Sequence, residues 1–81
     1  MNTSLEAAPL PSEASRLRLL VQSALRTHGA MTADECAAHL DLSPLSVRPR
    51  FTELKKLGLA CETGARRRNQ SGKFANVHSL I

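Results

Sequence analysis

Hydrophobic positions follow two periods along this chain, and the change between them divides it. Leu17, Leu20, Val21, Ala24 and Leu25 recur at helical spacing. Ser12 is placed to cap that helix, Glu13 stands near its positive end, and His28-Gly29 supplies a stop. Ala33, Cys36, Ala37 and Leu40 form a second stripe of mostly small residues, and Val47, Phe51, Leu54 and Leu57 a third. After Gly58 the period falls to about 2. Leu59, Cys61 and Thr63 alternate with Ala60 and Glu62, and Phe74 to Ile81 alternate again, with Ala75 and Val77 toward the core. Between these runs lies residues 64–73, GARRRNQSGK, rich in turn formers, so two strands around a loop read as a β-hairpin. The predicted order is helix, helix, helix, hairpin: an α+β domain over residues 12–81. Residues 1–11, MNTSLEAAPLP, read as a flexible arm, because Pro9 and Pro11 interrupt a helix and few of the side chains can reach a core.

The second and third helices are closely joined. Thr32 and Glu35 stand at capping-box spacing, each side chain able to satisfy the other's backbone N–H. Asp41-Leu42-Ser43-Pro44 breaks the periodicity; Ser43 suits an N-cap and Pro44 the first helical position, where a missing N–H costs nothing. Gly58 ends the third helix as its C′ residue. Pro49 would remove an internal hydrogen bond from a helix starting at Pro44. It costs little if the regular helix starts near Ser46 after a looser turn at 43–46, and that reading is preferred. Two helices joined by so short a turn form a helix-turn-helix, whose second helix, about residues 44–57, can enter a DNA major groove.

The pattern of Thr32 with Glu35, then Ala37, Leu40, Leu42-Ser43, Ser46-Val47, Leu54 and Gly58-Leu59, resembles the winged helix-turn-helix family of transcription regulators. It is similar to small members common in bacteria and their prophages, which carry a stretch like Val47-Arg48-Pro49-Arg50. The resemblance covers about residues 13–81. It implies a three-helix winged helix-turn-helix with the C-terminal hairpin as its wing, and residues 30–31 fall where such proteins often carry a short strand, though two residues are too few to assign.

Charge sharpens this picture. The formal net charge is +4, but residues 1–41 carry −2 and residues 42–81 carry +6, so the basic excess lies on the third helix and the hairpin after it. That is the footprint of a protein meeting a polyanion. No apolar run approaches the roughly 20 residues that span a bilayer. The N-terminus lacks a basic start leading into an apolar segment, so a cytoplasmic chain is expected. Cys36 and Cys61 are then reduced, buried thiols rather than a disulfide.

Arg48 lies early in the third helix, away from the Val47–Phe51–Leu54 stripe, and is the first candidate for a bidentate contact to guanine. Arg50, nearer the stripe, is assigned to a phosphate, with Ser43, Ser46, Thr52 and Lys55 as further contacts along the helix. Arg66, Arg67, Arg68 and Lys73 are read as four cations on the flexible hairpin tip, suited to phosphates or a minor groove, with Asn69 and Gln70 adding hydrogen bonds. The ordinary alternative is a solvated, solubilising surface. Cys36, His39, Cys61 and His78 are metal-ligating types, but their spacing matches no zinc pattern, so neither metal nor cofactor is expected. No phosphate-binding loop and no nucleophile with a paired base is present, so no enzymatic activity is expected.

The partner expected is double-stranded DNA. The same residues would serve a small transcriptional regulator or a DNA-binding role in phage replication, excision or packaging. A protein–protein docking winged helix is the alternative from another class. Binding of RNA or single strands is disfavoured, because Phe51 and Phe74 are the chain's only aromatics and stacking platforms are correspondingly scarce. With no added dimerisation helix, a monomer is favoured in solution and a homodimer on DNA is possible.

Overall fold

The computed structural model describes residues 12–81; the arm expected over residues 1–11 lies outside them. Helices α1 (Glu13–His28), α2 (Ala33–Leu40) and α3 (Pro44–Lys56) precede strands β1 (Ala60–Arg68) and β2 (Phe74–Leu80). The order is the one expected from the change of period. None of the described helices is long and apolar enough to cross a membrane.

Each helix begins on a hydroxyl cap. Ser12 Oγ accepts from the Ser15 N–H at 3.1 Å, and Ser43 Oγ from the Leu45 N–H at 3.2 Å. At α2 both halves of the capping box form: Thr32 Oγ1 accepts from the Glu35 N–H, and Glu35 Oε1 accepts from the Thr32 N–H, each at 3.1 Å. The ends of α2 and α3 share one device. After α3, Gly58 at φ 76° lets its N–H reach Lys55 O at 3.1 Å and the Leu59 N–H reach Leu54 O at 2.9 Å. These are the paired bonds of a Schellman motif. After α2 the left-handed position is Asp41, at φ 56°, with Leu42 N–H bonding Ala37 O at 2.9 Å. Aspartate tolerates that conformation better than most non-glycine residues, and the resulting tight turn sets α3 against α2.

β1 and β2 pair antiparallel from Ala60↔Leu80 to Arg68↔Phe74, with a bulge between Glu62 and Arg66. Thr63 fills the break. Its hydroxyl donates to Val77 O at 3.1 Å and accepts from the Ala65 N–H at 3.2 Å, while Gly64 takes φ 91°. Met31 adds a third, one-residue rung on the other edge of β2, exchanging both backbone hydrogen bonds with His78 at 3.0 and 2.9 Å. The short strand anticipated near residues 30–31 is thus a single bridge.

The core joins all layers: Val21, Ala24 and Leu25 of α1, Met31, Cys36 and Ala37, Val47, Phe51 and Leu54 of α3, and Ala60 at the start of β1. Burial pushes the Cys36 thiol up to about 11, so it stays protonated. His78 packs edge-on against Phe51, ring centroids 5.0 Å apart.

Several sequence readings need correction. Leu20 and Leu57 are 43% and 60% exposed. Leu20 sits at the margin of the α1 stripe, and Leu57 belongs to the cap that ends α3. The first strand has the opposite facing: Ala60 is buried, whereas Leu59, Cys61 and Thr63 are exposed. The Schellman turn consumes Leu59, so the inward alternation starts one residue later. Cys61 is therefore not a buried thiol. The helix of α3 does start at Pro44, with Pro49 inside it and no looser turn at 43–46. Pro49 is exposed, and the bond it forfeits would reach the carbonyl of the equally exposed Leu45, on the solvent side of the first turns. Arg66–Arg68 lie on strand β1 rather than on a flexible tip, because the bulge absorbs Gly64 and the turn shrinks to residues 69–73.

Leu54 is fully buried at the centre of this core. Leu54→Ala is expected to lower the unfolding free energy by about 2–5 kcal/mol, read from urea denaturation.

His78 gives the fold a pH dependence. Both ring nitrogens are buried without a hydrogen-bond partner, and its pKa lies below the ordinary 6.5, first through desolvation and then through the charge of Lys55, with Glu62 opposing. The unfolded chain therefore binds this proton more readily. Its contribution to stability is complete above 6.5 and is lost as pH falls below that value. Denaturation midpoints should drop between about pH 7 and pH 5, and His78→Gln should flatten that slope.

Candidate nucleic-acid interface

Arg48, Thr52 and Lys55 stand at i, i+4 and i+7, so α3 presents them on one face. That face looks across a cleft of about 220 Å³ to the hairpin, where Glu62, Asn69, Asn76 and His78 form the opposite wall. A second cleft, about 380 Å³, runs between the N-terminal part of α2 and the hairpin tip, lined by Asp34, Glu35, Pro44, Arg68, Asn69 and Gln70.

Three cations at or beside the clefts are held by carboxylates. Arg48 donates from Nε and Nη2 to the two carboxylate oxygens of Asp34, both at 2.9 Å. Lys55 Nζ lies 2.9 Å from Glu62 Oε2, which also accepts from Asn76 Nδ2 at 3.2 Å. The Lys55 hydrogen bond is the largest cause holding the Glu62 carboxyl below its ordinary pKa. Arg67 reaches from β1 to Glu35 Oε1, the same oxygen that completes the α2 capping box. Consecutive acidic residues at the start of α2 thus hold one arginine from α3 and one from the hairpin.

Arg50 departs from its expected role. Its side chain is only 15% exposed and turns toward α1, donating from Nη2 to Glu53 Oε2 at 2.9 Å, while Arg18 of α1 donates to Glu53 Oε1 at 2.9 Å. Two guanidiniums on one carboxylate keep Glu53 below the ordinary carboxylate range, the Arg18 hydrogen bond being the largest cause. The group fastens α3 to α1 instead of facing outward with Arg48. Among the other sequence candidates, Ser43 is occupied as the α3 cap, Ser46 is half-buried and Thr52 is exposed. Asn69 closes the hairpin turn, its N–H bonding Lys73 O at 2.7 Å, and Lys73 is exposed.

The arginine run divides by strand alternation. Arg67 pairs with Ala75 on one face; Arg66 and Arg68 share the other with their cross-strand partners Asn76 and Phe74. Of the cations on α3 and the hairpin, Arg66, Arg68, Lys56 and Lys73 have no carboxylate partner among the described residues. The guanidiniums of Arg66 and Arg68 lie 5.5 and 5.0 Å from the centroid of the Phe74 ring.

The metal-ligating types are dispersed. Cys36 is in the core, Cys61 is exposed, His39 stacks on His28 with ring centroids 4.0 Å apart, and His78 lies against Phe51. Sequence reasoning missed Asp34, Glu62 and Phe74 as parts of this surface. Asp34 and Glu62 carry no local signal beyond charge, since their partners lie elsewhere in the chain. Phe74 is legible as one of the chain's two phenylalanines, the one that stands on the basic hairpin.

No protein-family model matches the chain, and no curated protein matches it in sequence. Among solved structures it is similar to the Zalpha domain of PKZ from Carassius auratus, crystallised in complex with Z-DNA. The TM-score is 0.67 at 17% identity, over 86% of this chain and 100% of that one. Three helices and then an antiparallel hairpin, matched over the whole of that domain, establish that the chain has the winged-helix fold.

Proposed function

We propose that this chain binds double-stranded DNA sequence-specifically, as a small cytoplasmic transcriptional regulator of the bacterial or prophage type. In this reading α3 lies in the major groove, and the wing, β1 and β2 with their turn, tracks the backbone or the minor groove. The observation that carries it is the placing of the Arg48–Thr52–Lys55 face of α3 beside a hairpin that bears Arg66, Arg67, Arg68 and Lys73. Both surfaces can meet one polyanion together. The winged-helix neighbour held with Z-DNA supports nucleic acid as the partner.

The Asp34 pair bears on how Arg48 would read a base. The carboxylate takes the Nε–Nη2 edge of the guanidinium. The remaining Nη1 and Nη2 hydrogens point along the end of the fork, the edge that fits guanine O6 and N7. Asp34 would then fix the side chain in an extended pose. Arg67 and Lys55 must instead exchange or share a carboxylate when a phosphate arrives, whereas Arg66, Arg68 and Lys73 need no exchange.

Anisotropy titration against mixed-sequence duplex tests the reading. With about four to six phosphates engaged, log K should fall with log salt at a slope of roughly −4 to −5. Replacing Arg66, Arg67 and Arg68 together by alanine should flatten the slope. On a selected site, Arg48→Ala should cost discrimination at one guanine by about 1–3 kcal/mol. A folded chain without measurable binding would move the function to a protein partner. Z-DNA is the second reading, favoured by the neighbouring complex. Tighter binding to a d(CG) repeat held in the Z form than to the same repeat in the B form would replace the major-groove mode.

A further inference from the structure

Phe74, unlike Phe51, lies outside the core, and the residue is 55% exposed on the wing. The hydrophobic cluster does not include it. Its neighbours are cations: Arg68, its cross-strand partner, and Arg66 on the same face, both within 5.5 Å of the ring centroid and neither paired with a carboxylate. Every other arginine of the α3–wing surface has an acidic partner. No acidic residue occurs anywhere in residues 63–81.

An exposed ring beneath two unpartnered guanidiniums, which are free to leave it for phosphates, has a specific complement. A nucleobase stacks on the ring, and the phosphates on either side of it take the two guanidiniums. Along a strand, residues 66 and 68 are separated by about 6.8 Å, comparable to successive phosphates on an extended nucleotide chain. Bases inside a duplex have their faces covered by their neighbours, so a paired interior base cannot use this site. A base beyond the end of a duplex can.

The geometry points to a binding site for an unpaired nucleotide on the wing, with Phe74 as the stacking surface and Arg66 and Arg68 as the phosphate clamp. The chain thereby distinguishes DNA carrying a single-stranded extension from blunt duplex. The inference rests on nucleic acid being the partner, as proposed above, but not on α3 reading the major groove.

The test titrates the full chain with three DNAs: a blunt duplex, the same duplex with a 3′ extension whose first unpaired base is 2-aminopurine, and the extension strand alone. The extended duplex should bind about 5- to 150-fold more tightly than the blunt one, with a change in 2-aminopurine emission on binding. Phe74→Ala should abolish the emission change and bring the ratio of extended-duplex to blunt-duplex affinity to about one. Phe74→Trp should retain both the emission change and the preference. Circular dichroism of the alanine variant should match the parent, because the ring supports no core contact. Equal affinity for blunt and extended duplex, or a preference that survives Phe74→Ala, overturns the site. Phe74-dependent binding of the extension without any binding of blunt duplex keeps the site and overturns the duplex-reading function. Binding to none of the three DNAs overturns both.

Discussion

Residues 31–35 tie the molecule together. Met31 exchanges backbone hydrogen bonds with β2, Thr32 caps α2, Asp34 takes Arg48 from α3, and Glu35 both completes the cap and takes Arg67 from β1. Helix start, sheet edge, third helix and wing therefore share one short segment of backbone. The demands on Glu35 are compatible because a single carboxylate oxygen can accept both the Thr32 N–H and a guanidinium hydrogen. Met31 and Thr32 are both buried, which shields the backbone bonds at this junction from water. The placing of the wing relative to α3 depends on this junction as much as on the core.

The pairing of cations also revises what the basic composition means. The charge of residues 42–81 measures the sequence, not the field that an approaching phosphate meets. Arg48, Arg67 and Lys55 are each matched by a carboxylate, and Arg50 is folded against α1. The uncompensated charge is concentrated on the wing, around Phe74. A surface with some cations already held in place gives up less side-chain freedom on meeting a ligand, but it must also accommodate the carboxylates that remain.

Local rules made much of the fold legible. The capping box at Thr32 and Glu35, the stop at Gly58 and the change of period after it are properties of a few neighbouring residues, and each appears where expected. What escaped depended on distance. Whether Leu59 or Ala60 turns inward is set by how the Schellman turn hands the chain to β1, and no alternation rule contains that phase. Gly64 was a turn former by type; Thr63 bonding to Val77 makes it part of a bulge instead. The angle of Arg50 on the helix sets it nearer the stripe and suggests a phosphate contact, yet Glu53, shared with Arg18 from far back in the sequence, holds it toward α1. The candidate interface was legible as a list of cations and illegible as a pattern of partners.

The strand that carries the arginine run has another property. β2 lies between β1 and the Met31 bridge, so among the described residues the outer edge of β1 has no strand beside it. An open edge is a template for another chain to extend the sheet, and such addition leads to aggregation. Three successive arginines and a bulge occupy that edge here. A second copy laid alongside in parallel register would bring its own guanidiniums close to these, with a broken ladder in between. Charge and bulge together disfavour growth of the sheet in that register, a property of the edge that is present whether or not a ligand is bound.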